Sequence, residues 1–513
     1  MVTSNPPTDP AARCAAAEQA LLRHPGVERT AVLSQAESLL ALVVPAEAYL
    51  DEAFDRTTAA NAALRKWQKT YDLNQSSKLA VSAPSGFNTI GWDSSYTRSP
   101  LPSEDMREWV QTTVDSIRRL NPRSVYEIGC GSGLLLLRVA PQCDRYVAVD
   151  FSHEVIRRTR EQLQSMPEVA ARVELMERRA DDFSGLEPQS FDHVVINSVI
   201  QYFPHSGYLS QVIGNAVRLV RDGGHIFIGD VRSLPLLPAF AASVELFQAQ
   251  DELAVAEIRE RALRRLHHTP ELVLSPAWFL ALRHRFDRIA HVEIALRRGR
   301  ADNEMTRYRY DAILHVGPRR EVSAVHYEPA SADPKGQIRS RLQQTSEPFG
   351  IHSIPNARIE RDRLALDQLR DPHAAGNAVG SRQAIGQRAL RGVHPQDLFD
   401  LETEYPGLRV HLSWAASRSD GSYDALVIPA GAAPDTAFAA PEPSPSAQLR
   451  LANAPGQTGI RAQLMERLLA HCREQRPSSG IPDRVVLVDE IPTQLEAADC
   501  ASLLAREDDG LVP

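Results

Sequence analysis

The stretch SVYEIGCGSGLLLLRVA, from Ser124 to Ala140, decides how this chain is read. Five residues rich in β-branched and aromatic side chains run into three glycines, each separated by one residue, and an apolar run follows. The first part reads as a strand and Leu134 to Ala140 as a helix. Between them Gly129, Gly131 and Gly133 let the backbone turn sharply and approach a ligand, and the exposed amides at a helix start favour an anionic group. A glycine triplet alone also fits a tight turn that binds nothing. Here, however, the pattern is GxGxG with Glu127 two residues ahead, unlike the GxGxxG of dinucleotide-binding folds.

Working outward, strands are expected at Tyr146 to Val149, Val173 to Met176, His193 to Ile196 and His225 to Ile228. Two more, Val292 to Leu296 and Tyr308 to His315, lie too close together for a crossover helix, so they are expected to be antiparallel neighbours. The fold class that follows is α/β, five parallel strands plus a terminal antiparallel pair with helices on both faces. Asp150 closes the second strand, followed by Phe151, and a carboxylate there can accept from both hydroxyls of a ribose. The competing reading makes it a cap for the helix starting near Ser152. Asp181-Asp182-Phe183 follows the third strand, where a carboxylate can accept from an adenine amino group and the phenyl ring can pack on the base. A solvated turn is the alternative.

Composition narrows the function. The 513 residues leave room for three or four domains at roughly 150 residues each. A net charge of −8 provides no global basic field for nucleic acid or an anionic membrane. Every apolar run is soon broken by a charge or a proline, far short of a membrane span, and the start of the chain lacks a signal-peptide pattern, so a cytoplasmic location is expected. Five cysteines with no CxxC spacing argue against a disulfide framework or a zinc site. Proline-rich and alanine-rich breaks divide the chain into 1–55, 56–318, 319–430 and 445–513.

The acidic-GxGxG loop, Asp150 and Asp181-Asp182-Phe183 together resemble the S-adenosylmethionine site of class I methyltransferases, which have a Rossmann-like seven-stranded sheet. Longer strings narrow the resemblance: FNTIGWDSSYT (Phe87 to Thr97), INSVIQYFP (Ile196 to Pro204), GDVRSLPLL (Gly229 to Leu237), RRGRADNEMTRYRYDAILHVG (Arg297 to Gly317), IPNARI (Ile354 to Ile359) and LSWAASRSDGSYDAL (Leu412 to Leu426). They are similar to the methyltransferase domains inserted in nonribosomal peptide synthetases. The flanks, His24 to Pro45 and Arg461 to Pro492, look like two pieces of the small C-terminal subdomain of an adenylation domain, which that methyltransferase interrupts. They are therefore expected to form one small α/β subdomain. The large ATP-binding part is not in this sequence, and Ala498 stands where the family has a lysine, so amino-acid activation is not expected.

The resemblance implies that Tyr96, Glu127, Gly129, Gly131, Gly133, Asp150, Phe151, Asp181, Asp182, Phe183 and Asn197 hold S-adenosylmethionine. Residues for the methyl acceptor are sought on loops at the carboxyl ends of the strands. They are Asn197, Gln201 and Tyr202 after the fourth strand, Asp230 and Arg232 after the fifth, and Glu304, beside Asn303, between the antiparallel strands. A mutual ion pair is the competing reading for Asp230 and Arg232. His193, His225 and His315 alternate with apolar residues and read as packed histidines, and no cluster has metal-ligand spacing. The expected activity is N-methylation of an amino-acid-like small molecule or of an aminoacyl thioester on a carrier protein, with a synthetase as partner and neither nucleic acid nor membrane involved. Two alternatives stay open: a stand-alone enzyme methylating a free small molecule on nitrogen or oxygen, and a catalytically silent docking protein.

Overall fold

A computed structural model describes residues 9–35, 38–55, 87–89, 91–319, 324–371, 373–431, 451–453, 455, 458–475, 481–488 and 491. The chain divides into two compact units, one of residues 66–453 and one that joins 1–65 to 454–513.

The larger unit is built on seven strands: β1 (Ser124–Ile128), β2 (Arg145–Asp150), β3 (Val173–Glu177), β4 (Phe191–Asn197), β5 (Val220–Arg232), β6 (Ile289–Leu296) and β7 (Arg309–Val316). Their order is β3-β2-β1-β4-β5-β7-β6. β1 to β5 are parallel, while β7 runs antiparallel to both of its neighbours. This is the seven-stranded class I methyltransferase sheet. Side chains alternate between two buried layers, as the two-residue period of a strand requires. Val125, Tyr146 and Ala148 pack with Met106, Val110, Val114 and Ile117 of the helix Ser103–Arg119. Tyr126, Ile128, Val147 and Val149 pack toward Leu209, Val212, Ile213 and Ala216 of the helix Ser206–Leu219. β4 is buried at all seven positions, as expected of a central strand covered on both faces.

One element is shorter than its sequence implies. The expected helix from Leu134 to Ala140 is α-helical only over Leu136–Val139 and tightens to a 3₁₀ turn over Ala140–Gln142. Pro141 has no amide hydrogen to donate to the α ladder, and the glycine turn takes up Leu134 and Leu135.

A second sheet follows β7, in the order Tyr327–Pro329, Phe349–Ile354, Tyr423–Ile428, Arg409–Ser413. Ile351, Ile354, Leu412, Tyr423 and Ala425 are buried in the same apolar cluster as β4 and β5. This segment thus shares an apolar core with the seven-stranded sheet. The smaller unit pairs Val27–Gln35 antiparallel with Ser38–Pro45, which in turn pairs parallel with Arg484–Leu487. Leu21, Leu39, Leu464 and Leu468 form its core with the helices Pro10–Leu22 and Thr458–Gln475. Asp483 caps the strand start by accepting from the Leu39 amide at 2.7 Å. Ala498 and Pro492 lie outside the described residues. Among the described residues no helix is long and apolar enough to cross a membrane.

The three histidines expected to pack inside the sheet belong to a row of four. His193 on β4 pairs with His225 on β5, His225 with His315 on β7, and His315 with His291 on β6. Imidazole contacts run the length of the row, from His193–His225 at 5.1 Å to His291–His315 at 5.4 Å between centroids. Asp192 and Glu293 flank it, and His411 reaches Glu293 from the second sheet. No group of His, Cys, Asp or Glu among the described residues is arranged to hold a metal ion. Burial and the neighbouring imidazoles push His225 down to about 3 and His291 to about 4. Both are neutral in the fold and take up protons in the unfolded chain once the pH drops below about 6.5. Stability is therefore retained above that pH and falls progressively toward pH 3. Glu293, held well below the carboxylate range by its two histidine partners, loses its contribution in the same direction. Replacing His225 with Gln is expected to flatten the fall in unfolding free energy between pH 6 and 4 by roughly 2 kcal/mol in urea titrations; an unchanged slope refutes the assignment.

Candidate functional site

The carboxyl ends of β1, β2, β4 and β5 and the loop from β6 to β7 lie on one edge of the sheet, where open α/β sheets bind ligands. Gly129, Gly131 and Gly133 have φ of +73°, +52° and +78°. A side chain at Gly129 would carry left-handed strain and place its Cβ 2.4 Å from Val199. The Gly131 amide donates to Asp150 Oδ2 at 3.0 Å, and the Ser152 amide donates to Asp150 Oδ1 at 2.9 Å. Asp150 is therefore anchored at the tip of β2. It is not the helix cap: Ser152 Oγ caps the helix His153–Leu163, accepting from Val155. Phe151 follows it, half-buried. A glycine cradle with a strand-end carboxylate fits the ribose diol of an adenosyl group and a carboxylate attached beyond it.

The remaining nucleotide candidates each have partners within the protein. Glu127 is buried beneath the loop, where Tyr146 donates to Oε2 at 3.0 Å and burial pushes its carboxyl up to about 7. Asp181 is engaged by Arg179 in a two-pronged contact at 3.0 and 3.1 Å. Asp182 Oδ1 accepts from the amide and hydroxyl of Ser184, which hold it below the usual carboxylate range. Phe183 packs on Tyr126, ring centres 5.6 Å apart.

Among the residues sought for the methyl acceptor, Asp230 is completely buried. Arg309 Nη1 and Ser198 Oγ donate to its Oδ2 at 2.5 and 2.6 Å, and Trp109 Nε1 donates to Oδ1 at 3.3 Å. Arg232 is bound instead to Glu271 and lies over Phe240, so the mutual Asp230–Arg232 pair does not form. Asp230 at φ +65° and Ser198 at φ +57° are both left-handed without being glycine. Such conformations cost about 1–2 kcal/mol each and persist where surrounding bonds over-determine them. Asn197 and Gln201 are buried and Tyr202 is exposed. Glu304 is buried as well, and both of its oxygens are engaged by Ser95: the Ser95 amide donates to Oε2 at 2.7 Å and its hydroxyl to Oε1 at 2.9 Å. Asn303 caps the short helix Glu304–Arg307 and donates to Asp105 at 2.8 Å.

Residues 126–226 match the family model of a methyltransferase domain. Chondramide synthase cmdD of Chondromyces crocatus is 39% identical over 432 residues, covering 80% of this chain and 11% of that protein. Nonribosomal peptide synthetase asqK of Emericella nidulans is 32% identical over 425 residues, covering 79% of this chain and 16% of that protein. The chain carries an S-adenosylmethionine-dependent methyltransferase domain of the synthetase type. It spans only 11% and 16% of the length of those two relatives. Among solved structures, the N-methyltransferase NodS from Bradyrhizobium japonicum is similar at a TM-score of 0.30 and 19% identity, covering 42% of this chain and 99% of that one.

Around this methyltransferase edge the structure adds groups that the sequence does not reveal. Tyr96 sits with its hydroxyl 2.8 Å from Ser243 Oγ and 3.2 Å from the Tyr308 hydroxyl, and burial pushes it up to about 12. Tyr308 donates to Asp362 at 2.5 Å. Asp362 and Ser243 come from helices far apart in sequence, and neither lies in a recognisable motif. Arg358, inside the quoted IPNARI string, is buried and donates to the carbonyls of Arg297, Gly299 and Thr306 at 2.8, 2.6 and 3.4 Å. Burial among carbonyls pulls its guanidinium down to about 10. The second sheet thereby grips the very loop that carries Glu304, and Glu304 in turn grips Ser95 beside Tyr96. Cutting the Glu304 link by Glu304→Ala is expected to cost about 1–3 kcal/mol and to raise hydrogen exchange at residues 94–97 specifically. Protection there that stays at the wild-type level would show that the tether carries no weight.

Proposed function

We propose that this chain methylates nitrogen on an amino-acid unit in peptide assembly, acting on an aminoacyl thioester presented by a separate carrier protein. The observation that carries the reading is the combination of a glycine cradle facing an anchored strand-end carboxylate with a buried polar edge that has no metal-ligand cluster among the described residues. The extent of similarity to the two synthetases supports the setting in peptide assembly. In this reading Gly129, Gly131, Gly133 and Asp150 hold the adenosyl group, with Phe151, Asp181, Asp182 and Phe183 lining its base and Glu127 supporting the loop from below. Bound there, S-adenosylmethionine supplies a methyl group on a cationic sulfur, which needs alignment more than acid or base assistance.

The protein's task is then to hold a neutral amine in line and exclude water. A free α-amino group ionises near pH 7.7 to 8.0, so an appreciable fraction is neutral at pH 7 and no strong base is needed. Asn197 and Gln201 face the acceptor, with exposed Tyr202 at its rim. Glu304 and Asp230 act by positioning: both oxygens of each carboxylate accept from protein donors, Glu304 holding the segment of Ser95 and Tyr96, and Asp230 holding Ser198. Arg232, tied to Glu271, shapes the same edge. The smaller unit is a split remnant of an adenylation-type subdomain, and we assign to it the docking of a synthetase or carrier partner.

Mass measurement of acceptors incubated with the protein and S-adenosylmethionine tests the reading. One added methyl on the amine of a carrier-loaded amino acid is expected, with little on the free amino acid. Methylation of a free hydroxyl compound alone would replace it with the oxygen-acceptor alternative. Asp150→Ala and Gly131→Val are expected to weaken calorimetric binding of S-adenosylmethionine by at least tenfold. Glu304→Gln, which keeps one carbonyl acceptor for Ser95, is expected to spare that affinity. Unchanged affinity in Asp150→Ala and Gly131→Val together would move the cofactor elsewhere.

A further inference from the structure

Arg232, at the end of β5, finds its partner Glu271 on a ribbon of residues 271–275 that lies outside the seven strands. One edge of the ribbon is held by the sheet. The Leu272 amide donates to the Gln201 carbonyl at 2.8 Å, the Leu274 amide to that of Arg232 at 3.1 Å, and the Leu234 amide to that of Leu274 at 3.1 Å. The other edge is held by residues 451–453. Ala452 bridges antiparallel to Leu274, and the Ser275 amide donates to the Leu451 carbonyl at 2.8 Å. Asn453 adds both ends of its carboxamide: Oδ1 accepts from the Val273 amide at 2.7 Å, and Nδ2 donates to the Glu271 carbonyl at 2.8 Å. With Leu272, Val273 and Leu274 buried, the ribbon is fixed on both edges, and Glu271 stands at its start.

Three carboxylates act on the Arg309 guanidinium at this edge: Asp230, Glu271 and Glu304. Asp230 and Glu304 are buried, and both oxygens of each accept from protein donors. Glu271 differs. Arg232 Nη1 donates to its Oε2, its Oε1 has no hydrogen-bond partner among the described residues, and the side chain keeps 22% exposure. Arg232 itself lies over Phe240 at 4.8 Å, and that ring meets Tyr96 edge-on at 6.3 Å between centroids. Of the three carboxylates, Glu271 is therefore the one with an oxygen to spare and a surface that a ligand can reach. A carboxylate in a rigid frame with one oxygen open suits a partner that brings an N–H or a positive charge. We propose that Glu271 Oε1 receives an N–H of the methyl acceptor's amine, with Arg232 and Asn453 as the positioning residues that fix the carboxylate. The proposal rests on the methyltransferase reading of this edge and deepens it. As the nitrogen lone pair forms the new N–C bond and the C–S bond breaks toward sulfur, positive charge grows on nitrogen, and the carboxylate stabilises it. The surplus proton then passes to Oε1 and from there to water.

Glu271→Gln tests this with little change of shape. Arg232 needs an acceptor, so the carboxamide turns its oxygen to Arg232 and its NH2 to the ligand. The probe is the carrier-loaded amino acid that the wild-type protein methylates, followed by pH-dependent turnover, with calorimetry of S-adenosylhomocysteine alongside. Glu271→Gln is expected to lower kcat/KM by about 10–100-fold with S-adenosylhomocysteine affinity intact. The rising limb of kcat, which reports the bound amine, is expected to move to lower pH by about one pH unit, because the carboxylate no longer favours the ammonium form. Glu271→Asp, which keeps the charge, is expected to leave the limb near its wild-type position, and Asn453→Ala, which loosens the frame, to give smaller changes of the same sign as Glu271→Gln. An unmoved limb in Glu271→Gln overturns the proposal whatever the rate, since an ion pair that only shapes the edge does not touch the amine's ionisation. So does a tenfold loss of S-adenosylhomocysteine affinity in a variant that keeps the wild-type thermal transition, which gives Glu271 to the cofactor instead. A wild-type protein that binds S-adenosylhomocysteine but methylates no amine defeats the functional reading and this proposal together, whereas an unmoved limb beside normal wild-type methylation defeats the proposal alone.

Discussion

Burying a carboxylate costs several kcal/mol unless donors surround it, and Asp230 is buried without any exposure, so the groups that satisfy it are fixed by that need. Arg309 comes from β7, Ser198 from the turn after β4 and Trp109 from the helix Ser103–Arg119. The backbone of Asp230 adds a fourth link by donating to Asp311, which also receives Arg297, and Arg297 reaches Thr113. Three separate elements thus converge on one residue at the carboxyl edge of the sheet. The left-handed backbone of Asp230 and Ser198 follows from that convergence, since only there do both side chains reach the same knot.

A second system of bonds closes around the same edge from outside. The β6–β7 loop is held on one side by Glu108, which accepts from the Arg300 and Ala301 amides at 2.7 Å each. On the other side Arg358 takes three of its carbonyls, and Arg298 pairs with Glu402 while stacking on Phe399. Loops of this length are mobile by default, and a guanidinium donating to three carbonyls is an efficient restraint because its donors lie in one rigid plane. The second sheet therefore serves the methyltransferase edge mechanically. It fixes Glu304, and through Ser95 it fixes the segment that brings Tyr96 to Ser243 and Tyr308.

The two ends of the sheet contrast in their electrostatics. At the carboxyl edge charged groups are paired tightly around Asp230, while toward the opposite end four imidazoles cross four strands with carboxylates at either side. Imidazoles pack there as flat polar groups that can pass hydrogen bonds along the row, as from His225 to His193 to Asp192. The row costs stability only when acid forces charge onto it.

The sequence by itself determined the sheet. Apolar periodicity placed all seven strands, the short gap between Leu296 and Tyr308 made the last two antiparallel, and GxGxG with Asp150 marked the ligand edge, because each depends on neighbours within a few residues. It also suggested the split unit, through patterns at residues 24–45 and 461–492. Tertiary structure decided what each polar group does. Asp230 and Arg232 stand two apart and invite a pair, yet the strand sends them to different partners, Arg309 and Glu271. Glu304 reads as a residue for the methyl acceptor in a polar loop, and only the fold shows that it is tied to Ser95, a partner 209 residues away. Asp362 and Ser243 carry no local signal, and the IPNARI string that contains Arg358 does not tell which carbonyls it binds. A side chain's hydrogen-bond partner is chosen by which elements pack beside it, and that choice is made by the burial of the whole core, not by the spacing along the chain.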